Sequence, residues 1–185
     1  EAAAREYQFG LLALTTGSYR AAFAALRLSL ELYLAAVQLS ANERELRGWL
    51  RGEKDTSWAV LTDAENGVLS TQFVRLFTPE LADETKTYRA SAVAVYRECS
   101  EYVHGNAHTN RAVPAQLVFD QASFEAWHQK ASVVRLTISF TLAARYLADL
   151  DSDARSRLEA VLLDHLGHSR GVRSLLGAPL EVTNG

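Results

Sequence analysis

Residues 19–40 read YRAAFAALRLSLELYLAAVQLS, the most apolar run in the chain, and the spacing of its few polar residues decides what kind of element it is. Phe23, Leu26, Leu30, Tyr33, Leu34 and Val37 recur at the three- and four-residue intervals of a helix. A helix of this length could cross a bilayer. Arg20, Arg27, Glu31 and Gln38, however, fall close to whole numbers of turns apart and form one polar stripe, which would be costly in lipid. The stretch therefore predicts a central helix of a protein bundle and no membrane partner. Arg27 and Glu31 stand four residues apart and are expected to pair. That pair reads either as a structural ion pair or as a row of polar groups facing a site.

The neighbouring segments extend the helical pattern. Glu1 to Thr16 reads as a helix with Phe9, Leu11, Leu12 and Leu14 among its apolar residues, stopped by Gly17, with Ser18 as N-cap of the next. A short helix is expected within residues 41–52, with Leu46, Trp49 and Leu50 on one side, followed by the loop GEKDT. Two further short helices are expected from Thr56 onward, divided at Asn66-Gly67. Thr78-Pro79-Glu80 marks a helix start, with proline at the first position and an acidic residue in the first turn. Residues 105–116, GNAHTNRAVPAQ, read as a polar loop, and LVFD as a short extended piece. Asp120 or Ser123 then caps a long helix running to about Leu150, apolar on more than one side. Ser152-Asp153 opens a last long helix that Gly167 halts, and residues 172–176 form one more short turn.

Composition agrees with this pattern. The chain has 185 residues, 48% of them apolar, and 3 prolines. That balance favours a compact all-α protein, with four to five long helices plus short ones. The expected organisation is a single helical domain over 1–185, with the core at about 18–150 and a C-terminal helix and tail at 151–185. The formal charge of −3 gives no support for a strongly basic nucleic-acid binder, so any such contact must be a local patch. The single cysteine, Cys99, excludes an internal disulfide and falls on an apolar helix flank, which fits a reducing cytoplasm. The opening EAAAREYQ has no apolar core of a secretory signal. With no methionine anywhere, the natural chain is expected to be longer.

The second decisive stretch is YRASAVAVYRECSEYVHGN, Tyr88 to Asn106. On a helix, Tyr88, Ala92, Val95, Cys99 and Val103 gather on one flank as core residues. Arg97 and His104 fall opposite, seven residues apart and within roughly 20° of each other. Ser100 and Glu101 line the same strip, and Gly105 is expected to end the helix, placing His104 at its C-terminus. A guanidinium beside an imidazole suits metal-free cleavage of RNA. The imidazole moves a proton near neutral pH, and the arginine neutralises charge developing on the phosphate. Two cations on one strip repel, and Glu98 and Glu101 oppose that repulsion. A solvated helix face is the plain alternative.

No Walker loop, GxGxxG, GxSxG or zinc-type cysteine pair occurs. His165 and His168 lie three apart beside Asp164 and can be read as metal ligands, but Gly167 between them is expected to end the helix, which favours a C-terminal pair of histidines that suits the helix dipole; His108 lies near His104, and no third ligand there has a defined spacing. No metal and no cofactor are expected. Arg97, ECSEYV and His104, near the end of a long helix in an all-helical chain, resemble the R-x4-6-H motif of the HEPN superfamily (higher eukaryotes and prokaryotes nucleotide-binding). The run LRLSLELYLAA followed much later by YRECSEYVHGN resembles a bacterial HEPN-like branch of uncharacterised and abortive-infection-type proteins. The resemblance covers about residues 18–150. The residue after the arginine is Glu98, where the family more often has Asn, Asp or His.

The resemblance implies a HEPN-like helical bundle that forms a homodimer, with the motif helices facing each other across a two-fold axis. Arg97 and His104 of both copies then form one composite cleft. It implies a metal-independent endoribonuclease or toxin-type effector of bacterial defence or a toxin-antitoxin pair. It further implies RNA as the substrate and an antitoxin or other protein as a partner, in the cytoplasm. His104 would act as general acid or base and Arg97 would hold the scissile phosphate. Ser100, Glu101, Asn106, Glu98 and Arg111 would support them, with Arg89, Arg97 and Arg111 supplying a basic groove. Two other readings stand beside it: a non-catalytic helical module for dimerisation or partner docking, and a nucleotide- or small-ligand pocket within the bundle.

Overall fold

The computed structural model describes residues 1–104 and 106–180, the side chain of Asn110 excepted. The chain is an all-α helical bundle: ten α-helices and two short 3-10 turns, with no strand among the described residues. The helices are α1 (Ala2–Thr15), α2 (Tyr19–Ser40), α3 (Glu43–Leu50), α4 (Trp58–Leu61), α5 (Thr71–Phe77), α6 (Thr85–Val103), α7 (Ala107–Ala112), α8 (Gln121–Tyr146), α9 (Ser152–Leu166) and α10 (Arg170–Leu176). Five of these have 14 residues or more, matching the number of long helices expected. The Gly105 stop expected for α6 lies outside the described residues.

The fold divides into two compact units, one of Glu1–Ala36 with Ala90–Arg135 and the other of Val37–Arg89 with Leu136–Gly185. The boundaries fall inside α2, α6 and α8.

In the first unit, Phe23, Leu26, Leu30 and Leu34 of α2 are fully buried, as are Trp127 and Ala131 of α8. Trp127 donates its indole N–H to the carbonyl of Ala22 at 3.0 Å, so the largest apolar side chain in the unit also satisfies its one polar atom. Gly10 of α1 lets that helix approach both partners, since a Cβ there would stand 3.4 Å from the Ala22 carbonyl and 3.5 Å from the Trp127 ring. Ser29, wholly buried in α2, donates to the carbonyl of Ala3 at 2.8 Å. The α1–α2 corner turns at Gly17, whose φ of 74° is left-handed and whose missing side chain leaves room for the backbone of Val118. The extended piece expected at Leu117 to Asp120 is not a strand. Tyr19 fixes it instead, its hydroxyl donating to the Asp120 carbonyl at 3.0 Å and accepting the Asp120 N–H at 2.7 Å.

In the second unit, Tyr88 stacks on Phe140 with ring centroids 3.7 Å apart, and Leu69, Val74, Leu81, Leu147 and Leu166 are buried. The helix start expected at Pro79 is a 3-10 turn over Pro79–Glu84 that runs into α6. Leu50, expected on the same side of its short helix as Leu46 and Trp49, is 67% exposed, and the one buried residue of α3 is Gly48. By length and composition α2 could cross a membrane, and half of its most apolar window is buried within the protein.

Candidate functional site

The long helix α6 builds the candidate site by keeping one flank in the core and leaving the other open. Tyr88, Ala92, Val95 and Cys99 are buried at 4% exposure or less, while Arg97, Glu98 and His104 are exposed. Val103 departs from the expected flank. It sits in the last turn at 42% exposure and lines an open groove with Ala21, Ala24 and Val113. His104 lies one residue past α6, yet its N–H still donates to the Ser100 carbonyl at 3.1 Å. Helical hydrogen bonding therefore carries through His104 and keeps it two turns from Arg97 on the same face. Among the described residues, neither the Arg97 guanidinium nor the His104 ring makes a side-chain hydrogen bond or ion pair.

Of the residues expected to support that pair, Ser100, Glu98 and Asn106 have side-chain partners of their own. Ser100 donates to the Tyr96 carbonyl at 2.7 Å and accepts from Arg27 Nε at 2.9 Å. Glu98 pairs with Lys130 of α8. Asn106 caps α7, its side-chain oxygen accepting the His108 N–H at 2.9 Å. The carbonyl of Glu101 accepts the buried Thr109 hydroxyl at 2.9 Å. These last contacts replace the expected polar loop by a short helix, α7, with Arg111 exposed in its last turn.

A polar cluster forms between α2 and α6 where the sequence foretold only its α2 half. The Arg27 and Glu31 side chains approach to 3.6 Å and are 23% and 18% exposed. Tyr96 completes the cluster. The Arg27 guanidinium bonds to its hydroxyl and lies 4.3 Å over its ring, and the hydroxyl donates to Glu31 at 3.1 Å. Burial, followed by the negative charge of Glu31, pushes the Tyr96 phenol above its ordinary value, so it acts as a neutral donor. Periodicity held the signal for Tyr96, since it adjoins Arg97 and faces roughly 100° away from it, toward the edge of the covered flank.

Burial pushes the Cys99 thiol up to about 12, so it stays protonated and is no nucleophile. The histidines beside Asp164 diverge: His165 meets the Ser139 hydroxyl at 2.8 Å and His168 meets the Tyr88 hydroxyl at 2.9 Å. No group of side chains among the described residues is arranged to hold a metal ion.

Chemically, the α6 face offers a cation and a titratable ring to an anionic ligand from solvent. No family model, curated protein or solved structure matches the chain.

Proposed function

We propose that this chain is a HEPN-type, metal-independent endoribonuclease or toxin-type effector whose working groups are Arg97 and His104. The observation that carries the reading is the exposure of these two side chains on one face of α6, neither held by a side-chain partner among the described residues. A structural arginine or histidine is ordinarily engaged, as Arg27 and His165 are. In the proposed reaction the ribose 2′-oxygen attacks the adjacent phosphorus and the 5′-oxygen leaves. His104 moves a proton on or off these oxygens and Arg97 balances the charge that builds on the phosphoryl oxygens. A second copy of the chain, apposed at α6, would supply the other half of a composite cleft.

The test is RNA incubated in EDTA with the wild-type chain and with Arg97→Ala and His104→Ala. Cleavage by the wild type alone is expected. If no protein cleaves, the nuclease reading is abandoned.

One observation favours a second reading, a non-catalytic docking or dimerisation module. Leu117, Val118 and Phe119 are consecutive and 72%, 47% and 72% exposed, an apolar run of the kind found at interfaces. Light scattering that gives a dimer, together with inert RNA, would favour this module.

A further inference from the structure

The outer face of α9 carries charge and apolar surface in an order that complements itself when the helix is reversed. Arg157 and Asp164 are seven residues apart, so they point within roughly 20° of each other and lie about 10 Å apart along the axis. Both are exposed. The midpoint between them falls between Ala160 and Val161, which are exposed as well. Val161 is 55% exposed and Leu158, one turn earlier, is 44% exposed, so the two form an apolar ridge beside the charges. The other side of the helix turns inward: Leu166, half a turn round from Arg157, is fully buried, and Arg155 donates to the Ala148 carbonyl at 2.7 Å. Each charge has a neighbour on its own helix. Arg157 pairs with Asp153, and Asp164 stands 3.7 Å from a ring nitrogen of His165. All of these residues belong to the unit that contains Leu136–Gly185.

A second α9 laid antiparallel, about a two-fold axis at that midpoint, brings Arg157 of each copy level with Asp164 of the other. We propose that this face of α9 binds a second copy of the chain. Two reciprocal ion pairs line one side of the seam, while Val161 meets its mate at the axis and Leu158 packs beside it on the other side. Each Arg157 guanidinium then lies between two carboxylates, Asp153 of its own chain and Asp164 of the other copy. The reversed direction also sets the positive end of one helix dipole beside the negative end of the other. A parallel pairing in the same register would set like charges level and repel. An unrelated helix would have to carry base and acid two turns apart in this order, which α9 itself supplies. A contact between single helices falls at or below the roughly 1,000 Å2 of a stable interface, so the dimer is weak, with a dissociation constant on the order of 10–100 µM. The proposal goes beyond the ribonuclease reading and does not rest on it.

Sedimentation equilibrium of the whole chain, from about 1 µM to about 1 mM, tests this, and the wild type is expected to pass from monomer to dimer over that range. Arg157→Glu or Asp164→Arg alone should weaken the dimer at least about tenfold, because each sets like charges face to face twice. The double variant restores opposite charges and should return to within about threefold of the wild type. Both side chains are exposed, so the variants should fold as the wild type does. The one cysteine, Cys99, is buried, which lets an introduced thiol report on the axis. With oxidised glutathione, Val161→Cys should form a disulfide-linked dimer faster than Gln72→Cys, whose site is exposed on α5. A wild type that stays monomeric throughout overturns the proposal and leaves the face to solvent or to another protein. Association indifferent to both charge reversals overturns it in favour of a different face, such as that of α6. So does a double variant no tighter than the single ones, or cross-linking equally fast at residues 161 and 72.

Discussion

Arg27 donates from Nε to the Ser100 hydroxyl at 2.9 Å, joining the middle of α2 to the last turns of α6 one turn before His104. The same guanidinium serves Tyr96 and Glu31, so one cation satisfies three polar groups at a helix contact that is only about a fifth exposed. Removing it strands Glu31, whose carboxylate then keeps, among the described residues, the Tyr96 hydroxyl. Arg27→Met is therefore expected to cost about 2 to 3 kcal/mol, the larger part from leaving Glu31 without its cation. Ser100→Ala, which deletes one bond and leaves the charges paired, should cost about 1 kcal/mol. Urea unfolding of the two variants and the double variant checks this. Losses that simply add would show that the guanidinium and the hydroxyl act independently.

Two glycines near the start of the chain should respond oppositely to the same methyl group. Gly10 is helical, and a Cβ there meets its neighbours at 3.4 Å or more. Gly10→Ala is expected to raise stability by about 0.5 to 1 kcal/mol through helix propensity. Gly17 has φ 74°, and a Cβ would fall 2.6 Å from the Val118 carbonyl oxygen. Gly17→Ala should cost about 2 kcal/mol or more, from the left-handed backbone and the displaced Val118 strand of chain together. Thermal unfolding of both variants tests the contrast, and a shared direction would show that the close approach at Val118 is not binding on the fold.

What could be read in advance follows from what periodicity encodes. The long helices α2, α6 and α8 carry sustained three- and four-residue spacing, so their existence and buried flanks were legible, down to the buried thiol of Cys99. Places where tertiary contacts outweigh local pattern were not. The polar residues 107–112 suggest a loop, yet Asn106 caps them and Thr109 anchors to the Glu101 carbonyl, which makes them helical. Val103 has core spacing, but it lies in the last turn of α6, where core packing no longer covers it. Around Arg97 and His104 the spacing gave the shared face correctly. The partners of Ser100 in α2 and of Glu98 in α8 are ones that no local pattern names, whereas Asn106 caps the helix that follows it.

Thr78 offers a test of an orphan group that no ligand need explain. It is fully buried and precedes the 3-10 turn of Pro79–Glu84, and among the described residues its hydroxyl has no hydrogen-bond partner and caps nothing. Valine has nearly the same shape without the desolvated oxygen. Thr78→Val should leave stability unchanged or raise it by up to about 1 kcal/mol, against the usual loss on altering a buried residue. A loss of more than about 1 kcal/mol on chemical unfolding would show that the hydroxyl has a partner in solution, such as an internal water.

Acid should weaken the fold through a helix cap and a turn. Asp120 starts α8 by accepting the Ser123 N–H at 2.8 Å, and the Ser123 hydroxyl and N–H together hold its carboxyl below the ordinary range. The backbone N–H groups of Asn66 and Glu65 do the same for Asp63. A carboxyl lowered in the folded state stays ionised there at a pH where the unfolded chain has already taken up a proton. Its contribution is therefore complete above the ordinary carboxylate value, about pH 4, and fades as pH falls through the lowered folded value. Asparagine accepts the same cap bond without titrating. Asp120→Asn should thus resemble wild type near pH 7 and lose stability less steeply below about pH 4. Urea midpoints measured across that range decide it: parallel curves for the two proteins would remove the Asp120 cap from the acid response.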